Sequence, residues 1–170
     1  MSNINYASGF TPVRYKNGTA MICDYLDISS SNSVIDKNDL LERAADGYIQ
    51  RATATSRSIV GVAAEHKAAN AGGKVAFYPI QGLIMEAQVD NGLDARTDIG
   101  NAFDIFPGSP ASSGISQMQI DGSTKNTTAS LPIKVEGLVE RVGVTNDFGD
   151  YAKVLCVVNE SHYGAGSIGL

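Results

Sequence analysis

IKVEGLVERV (Ile133 to Val142) and YAKVLCVVN (Tyr151 to Asn159) are the stretches whose reading decides the fold class. In the first, Ile133, Val135, Gly137 and Val139 alternate with Lys134, Glu136 and Glu140, the period of two expected of a strand with one buried face. Leu138 falls on the polar side and breaks the alternation. The second is almost continuously apolar, as expected of a strand buried on both faces. A polar turn at Asn146 to Asp150 separates them. Both stretches combine β-branched residues with strand patterning, so they read as the longest strands of an all-β core.

The same rhythm runs back through the chain. Leu40 to Ala44 and Tyr48 to Ala52 flank Asp46-Gly47, a pair that tolerates the positive φ of a tight hairpin turn. Ile59 to Ala64 is followed by Glu-His-Lys-Ala-Ala, so a helix over Ser58 to Asn70 competes there, but Val60, Val62, Ile59 and Gly61 favour a strand. Lys74 to Ile80 and Leu83 to Asp90 read as consecutive strands joined in a hairpin around Gln81-Gly82, with Pro79 at a strand end. Ala102 to Phe106 and Met118 to Asp121 are short strands, the latter ending at Asp121-Gly122, with a Gly, Pro and Ser loop at Pro107 to Gly114 between them. Met21 to Ile28 is a first strand running into a polar loop at Ser29 to Ser33. About eight to ten short strands in one chain of this size imply a single-domain β-sandwich or barrel over residues 20–160.

Residues 1–19 are polar and Gly-punctuated, with isolated apolar residues. They read as an extended N-terminal arm in which Ile4, Tyr6, Phe10 and Val13 anchor to a neighbouring protein surface and stay out of the chain's own core. Residues 161–170 read as a flexible Gly-rich tail. They contain Gly164-Ala-Gly166-Ser-Ile-Gly169, a literal GxGxxG without the following helix that would hold a pyrophosphate.

Composition narrows the function. Of 170 residues, 43% are hydrophobic and 18% charged, which is globular and lacks the signature of disorder. The net charge is -5 and the thirteen Lys and Arg residues are scattered, so nucleic acid is not an expected partner. Cys23 and Cys156 lie in apolar stretches without a CxxC pair and read as small buried hydrophobes. No run of about 18 apolar residues is present to span a bilayer, and MSNINYASGF lacks the marks of a signal peptide. A soluble protein made in the cytoplasm is expected, with no membrane partner and with the sequons at Asn17, Asn126 and Asn159 as chance matches.

Catalytic signatures are sparse. His66 and His162 sit in no recognisable nucleophile motif and read as surface or strand-end residues. Asp90, Asp94 and Asp98, and again Asp147 and Asp150, could offer oxygen ligands to calcium, but their spacing fits no EF-hand loop and Asp is a common turn-former. No enzyme activity, metal or cofactor is expected.

Ala44 to Ala64, AADGYIQRATATSRSIVGVAA, with the later segments VAFYP (Val75 to Pro79), IMEAQV (Ile84 to Val89), FDI (Phe103 to Ile105) and the two closing strands, resembles the capsid decoration (cement) proteins of tailed bacteriophages. The resemblance covers residues 35–159 and rests on strand order and turn residues. It implies a structural virion protein on the outer capsid surface, a homotrimer bridging subunits of the phage major capsid protein. Its shell-stabilising role would follow from multivalency, each later contact being made at high effective concentration. Another expectation is a receptor- or carbohydrate-binding β-module, such as a head fibre or tail component, which would need a polar groove with aromatic walls.

Overall fold

The computed structural model describes residues 3–127, 131–142 and 145–159. It is all-β, with eleven strands among the described residues: β1 (Thr11–Tyr15), β2 (Asp24–Ile28), β3 (Leu40–Arg43), β4 (Ile49–Arg51), β5 (Ile59–Ala63), β6 (Gly73–Pro79), β7 (Leu83–Gln88), β8 (Ala102–Phe106), β9 (Gln119–Asn126), β10 (Ile133–Leu138) and β11 (Lys153–Val158). The only helical element among these residues is a 3-10 turn at Arg96–Asp98. No helix among them is long and apolar enough to cross a membrane.

The strands form two sheets. β2, β4, β3, β5 and β6 close into a small barrel, sealed by a parallel pairing of Ile28 with Ile49. The other six run in the order β1-β7-β11-β10-β8-β9. This larger sheet curls until Val89, just past β7, bridges to Ile120 in β9. Ile28, Ile35, Leu41, Ile49, Val60, Ala63, Val75 and Phe77 fill the barrel. The second core holds Phe10, Leu83, Met85, Phe103, Ile105, Met118, Ile133, Val135 and Val154, together with Leu40, Ile59 and Val62 from barrel strands.

β3 and β5 are therefore a wall shared by both cores. Leu40 and Leu41, adjacent in β3, face opposite cores, and all five residues of β5 are buried. This explains why IVGVA is apolar at every position and why the strand prevails over the competing helix: each face of β5 has its own core to fill. Gly61 is needed there for space. A Cβ on it would lie 2.3 Å from the Phe77 ring and 2.4 Å from the Tyr78 carbonyl oxygen.

The hairpin at Asp46-Gly47 forms, with Gly47 at φ 88° and the Ala44 N–H bonded to the Tyr48 carbonyl at 2.9 Å. Leu138 also finds its reason. The register between β10 and β11 shifts between Val135 and Gly137. Such a bulge exchanges the two faces of a strand, so Leu138 turns to the core side opposite Val154 and packs on the second core.

Several sequence expectations are corrected. β6 and β7 do not form a hairpin: β6 belongs to the barrel and β7 to the larger sheet. Pro79, which has no N–H to extend a ladder, ends β6, and a turn closed by Leu83 N–H on the Ile80 carbonyl drops Ile80 and Leu83 into the second core. Asp121-Gly122 does not end its strand, because β9 runs through it to Asn126. β11 is fully buried only at Val154 and Cys156, with its other residues half-buried. Cys156 is buried and its burial pushes the thiol well above its ordinary pKa, whereas Cys23 is only partly buried; both are free.

The arm is corrected as well. Residues 11–15 are strand β1, paired along β7, and Phe10 is 0% exposed in the second core. Burying a Phe side chain is worth about 1.5–3 kcal/mol, a gain that an isolated arm forgoes. Residues 161–170, with the Gly-rich motif and His162, lie outside the described residues.

Gly61→Ala is expected to destabilise the fold by about 1–3 kcal/mol through overpacking of the shared wall. Gly137→Ala, where an added Cβ meets nothing within 4 Å, should change stability by less than about 0.5 kcal/mol. Urea unfolding of the two variants, read as a midpoint shift at constant slope, checks both.

Candidate functional site

An open cleft of about 780 Å³ lies between the first residues of the chain and the loop from β8 to β9. Asn5, Tyr6 and Ala7 form one wall; Phe106, Pro107, Gly108 and Ser109 with Ser113, Ile115, Gln117 and Gln119 form the rest. No charged side chain lines it. Phe106 and Ile115 are each 44% exposed and Tyr6 69%. Large apolar groups held this open to solvent beside polar ones suit a binding surface.

Both walls are pinned from beneath. Gln88, buried at the end of β7, acts as a strand partner for the arm: its Oε1 accepts the Tyr6 N–H at 3.0 Å, and its Nε2 donates to the Ile4 carbonyl at 2.8 Å and to the Tyr151 carbonyl at 3.0 Å. Gln119 Nε2 donates to the same Oε1 at 3.1 Å. Asn3 donates to the carbonyls of Asp147 and Asp150. Beyond the cleft, Gly9, at φ 71°, lets the chain pass so close to Asn38 and Ser116 that a Cβ would lie 2.5 Å from each.

The opposite wall hangs on two buried carboxylates. Asp39 accepts the Ser116 hydroxyl at 2.5 Å, Arg51 Nε at 2.9 Å and the Asp36 N–H at 2.7 Å. Arg51 in turn donates to the carbonyls of Pro107 and Gly108. Asp36 accepts the Ala111 N–H at 2.8 Å and lies 3.0 Å from His66 Nδ1. The His66 ring packs against Gly114, where a Cβ would come within 3.2 Å of it. The loop thus follows the barrel through ionic and backbone bonds, supplemented by Lys37 N–H to the Gly114 carbonyl and Ser116 N–H to that of Lys37. Burial pushes the Asp39 carboxyl above its ordinary range, and the bonds from Ser116, Arg51 and Asp36 pull it back only in part.

Of the four residues expected to form an interface, Tyr6 lines the cleft and Ile4, 80% exposed, stands beside it. Val13 lies on the solvent side of β1 at a break in its register, and Phe10 is core. Sequence reasoning missed Phe106, Ile115, Gln88, Gln117 and Gln119. A Phe directly before the Pro-Gly loop was the available signal for the first; a buried glutamine that imitates a strand has none. The acidic loop serves as turn chemistry. Asp98 accepts the N–H groups of Asp94 and Ala95 and pairs with Lys125 at 3.1 Å; burial pushes its carboxyl up, but Lys125 and those donors hold it below its usual range. Among the described residues no three His, Cys, Asp or Glu side chains are grouped to hold a metal. Met21, Ile22 and Tyr25 make a second exposed apolar group, leading into and along β2.

The chain matches no family model, no curated protein and no solved structure.

Asp39→Ala is expected to cost about 3–5 kcal/mol, since it strands a nearly buried Arg51. A folded-state carboxyl above its ordinary value contributes stability in acid that is lost as pH rises through its titration. Wild-type stability relative to Asp39→Asn should therefore increase as the pH falls through the Asp39 titration. Asp98, held low, acts in the opposite sense, contributing at neutral pH and losing that contribution in acid. Urea melts of wild type, Asp39→Asn and Asp98→Asn across a pH series read both signs.

Proposed function

We propose that the protein is a phage capsid decoration protein, a non-enzymatic structural virion component that binds the outer surface of the shell as a homotrimer and bridges major capsid subunits. The observation that carries this reading is the firmly mounted cleft. Tyr6, Phe106 and Ile115 stay exposed while the backbones that bear them are fixed by Gln88 on one side and by Asp39 and Arg51 on the other. Preorganised aromatic anchors lose little entropy on binding and are the usual hot spots of protein interfaces. A bridging protein also needs more than one contact surface, and the Met21, Ile22 and Tyr25 group on the barrel supplies a second. The sequence resemblance over residues 35–159 names the partner class, and the trimer rests on it alone.

A receptor- or carbohydrate-binding module is the other reading. It is favoured by the same cleft, where Tyr6 and Phe106 stand beside the amides of Asn5, Gln117 and Gln119.

In purified virions the chain is expected in copy numbers set by the shell lattice, comparable with the major capsid protein, as quantitative mass spectrometry reads. A copy number matching a single tail, neck or vertex would overturn the decoration role. Tyr6→Ala and Phe106→Ala should each weaken binding to undecorated shells by about tenfold or more, with the unfolding midpoint little changed. Light scattering of the protein on and off shells reads the trimer.

A further inference from the structure

The arm from Ile4 to Ser8 runs without a turn or bend. In an extended chain the N–H and C=O of one residue point to the same side, and those of the next residue to the other. The Ile4 carbonyl and Tyr6 N–H face inward onto Gln88. The backbone groups of Asn5 and Ala7 consequently point to the side opposite Gln88. Among the described residues neither of these two residues has a backbone hydrogen bond, and both line the cleft. This is a sheet edge without a sheet, a short strand with one side satisfied by a buried amide and the other side open.

Such an edge is the template for strand addition, in which main-chain bonds give affinity and pockets for alternate side chains give specificity. The cleft supplies those pockets: Phe106 and Ile115 offer apolar surface, and Gln117 offers an exposed amide. Its lining is wholly uncharged, in a chain of net charge -5. A charged segment entering it would lose hydration without gaining a partner.

We infer that the cleft captures an extended, uncharged segment of a partner polypeptide, which adds as a strand to the Asn5 to Ala7 edge and seats aromatic or aliphatic side chains against Phe106 and Ile115. The inference deepens the decoration reading, on which the source of that segment, the shell protein, rests. A neutral glycan would use the aromatic faces and amides but has no need of the open backbone edge, so the edge favours a peptide.

The test is amide hydrogen exchange, read residue by residue by NMR, on the full chain with a pool of acetylated, amidated heptapeptides in which Thr alternates with Phe, Tyr, Val or Ile. The Asn5 and Ala7 amides are expected to slow by about tenfold or more on binding. Ala7→Pro, which removes one donor from the edge, should abolish capture of the pool while the Tyr6 amide keeps its protection. Unchanged exchange at Asn5 and Ala7, or equal capture by Ala7→Pro, overturns the inference. So does cellohexaose shifting the Tyr6 and Phe106 resonances where the peptides do not. Undecorated shells separate the two readings. Shell binding with Asn5 and Ala7 still exchanging freely sinks strand capture and leaves decoration standing, whereas peptide protection without shell binding does the reverse.

Discussion

The Asp39 carboxylate is the constraint on which the rest of the molecule depends. It stands at the start of the wall shared by the two cores, immediately before Leu40, and its side chain is completely buried. An ionised carboxylate there is costly unless every lone pair finds a donor. Ser116, Arg51 and the Asp36 N–H offset part of that cost, and each commits a different part of the chain. Ser116 ties down the entry to β9, Arg51 holds the Pro107-Gly108 backbone, and Asp36 brings in Ala111 and His66. One buried charge thereby sets where the loop from β8 to β9 can lie, which apolar packing alone would not do for so polar a segment.

The two cores meet at that point. Strands β3 and β5 serve both, so the barrel and the curled sheet cannot move independently without exposing Leu40, Ile59 or Val62. The N-terminal chain is drawn into the same junction. Phe10 fills the second core, and its N–H bonds to the carbonyl of Asn38, the residue before Asp39. The arm is thus anchored at its base by burial and along its length by Gln88. What it leaves free is side-chain surface at Ile4 and Tyr6, together with one backbone edge. A surface assembled this way presents flexible-looking sequence on a firm mount, the arrangement in which association costs least entropy.

The electrostatics are consistent with that division of labour. Charged pairs such as Lys16 with Glu136 and Lys74 with Asp27 are spread over the outside of the sheets, where each is worth little to stability. The cleft itself carries none. Affinity for a partner would have to come from shape, apolar contact and hydrogen bonds, and many weak sites acting together would suit such a surface.

The sequence by itself determined the fold class and most strand positions. Period-two patterning at Ile133 to Val135, β-branched runs at Ile59 to Val62 and the Asp46-Gly47 turn are local signals, decided within a few residues. Leu138 was legible as an anomaly, though only pairing with β11 shows that a bulge causes it. Tertiary structure decided the rest, because those outcomes depend on residues far apart in the chain. Whether Leu83 follows β6 in a hairpin or crosses to another sheet is set by which core receives it. Whether Phe10 is an anchor or core depends on Asn38 and the larger sheet, and whether Tyr6 faces solvent depends on Gln88, some eighty residues away. Only the assembled sheets bring the arm and the Pro107 to Gly114 loop together, since neither segment carries the patterning that would reveal its partner.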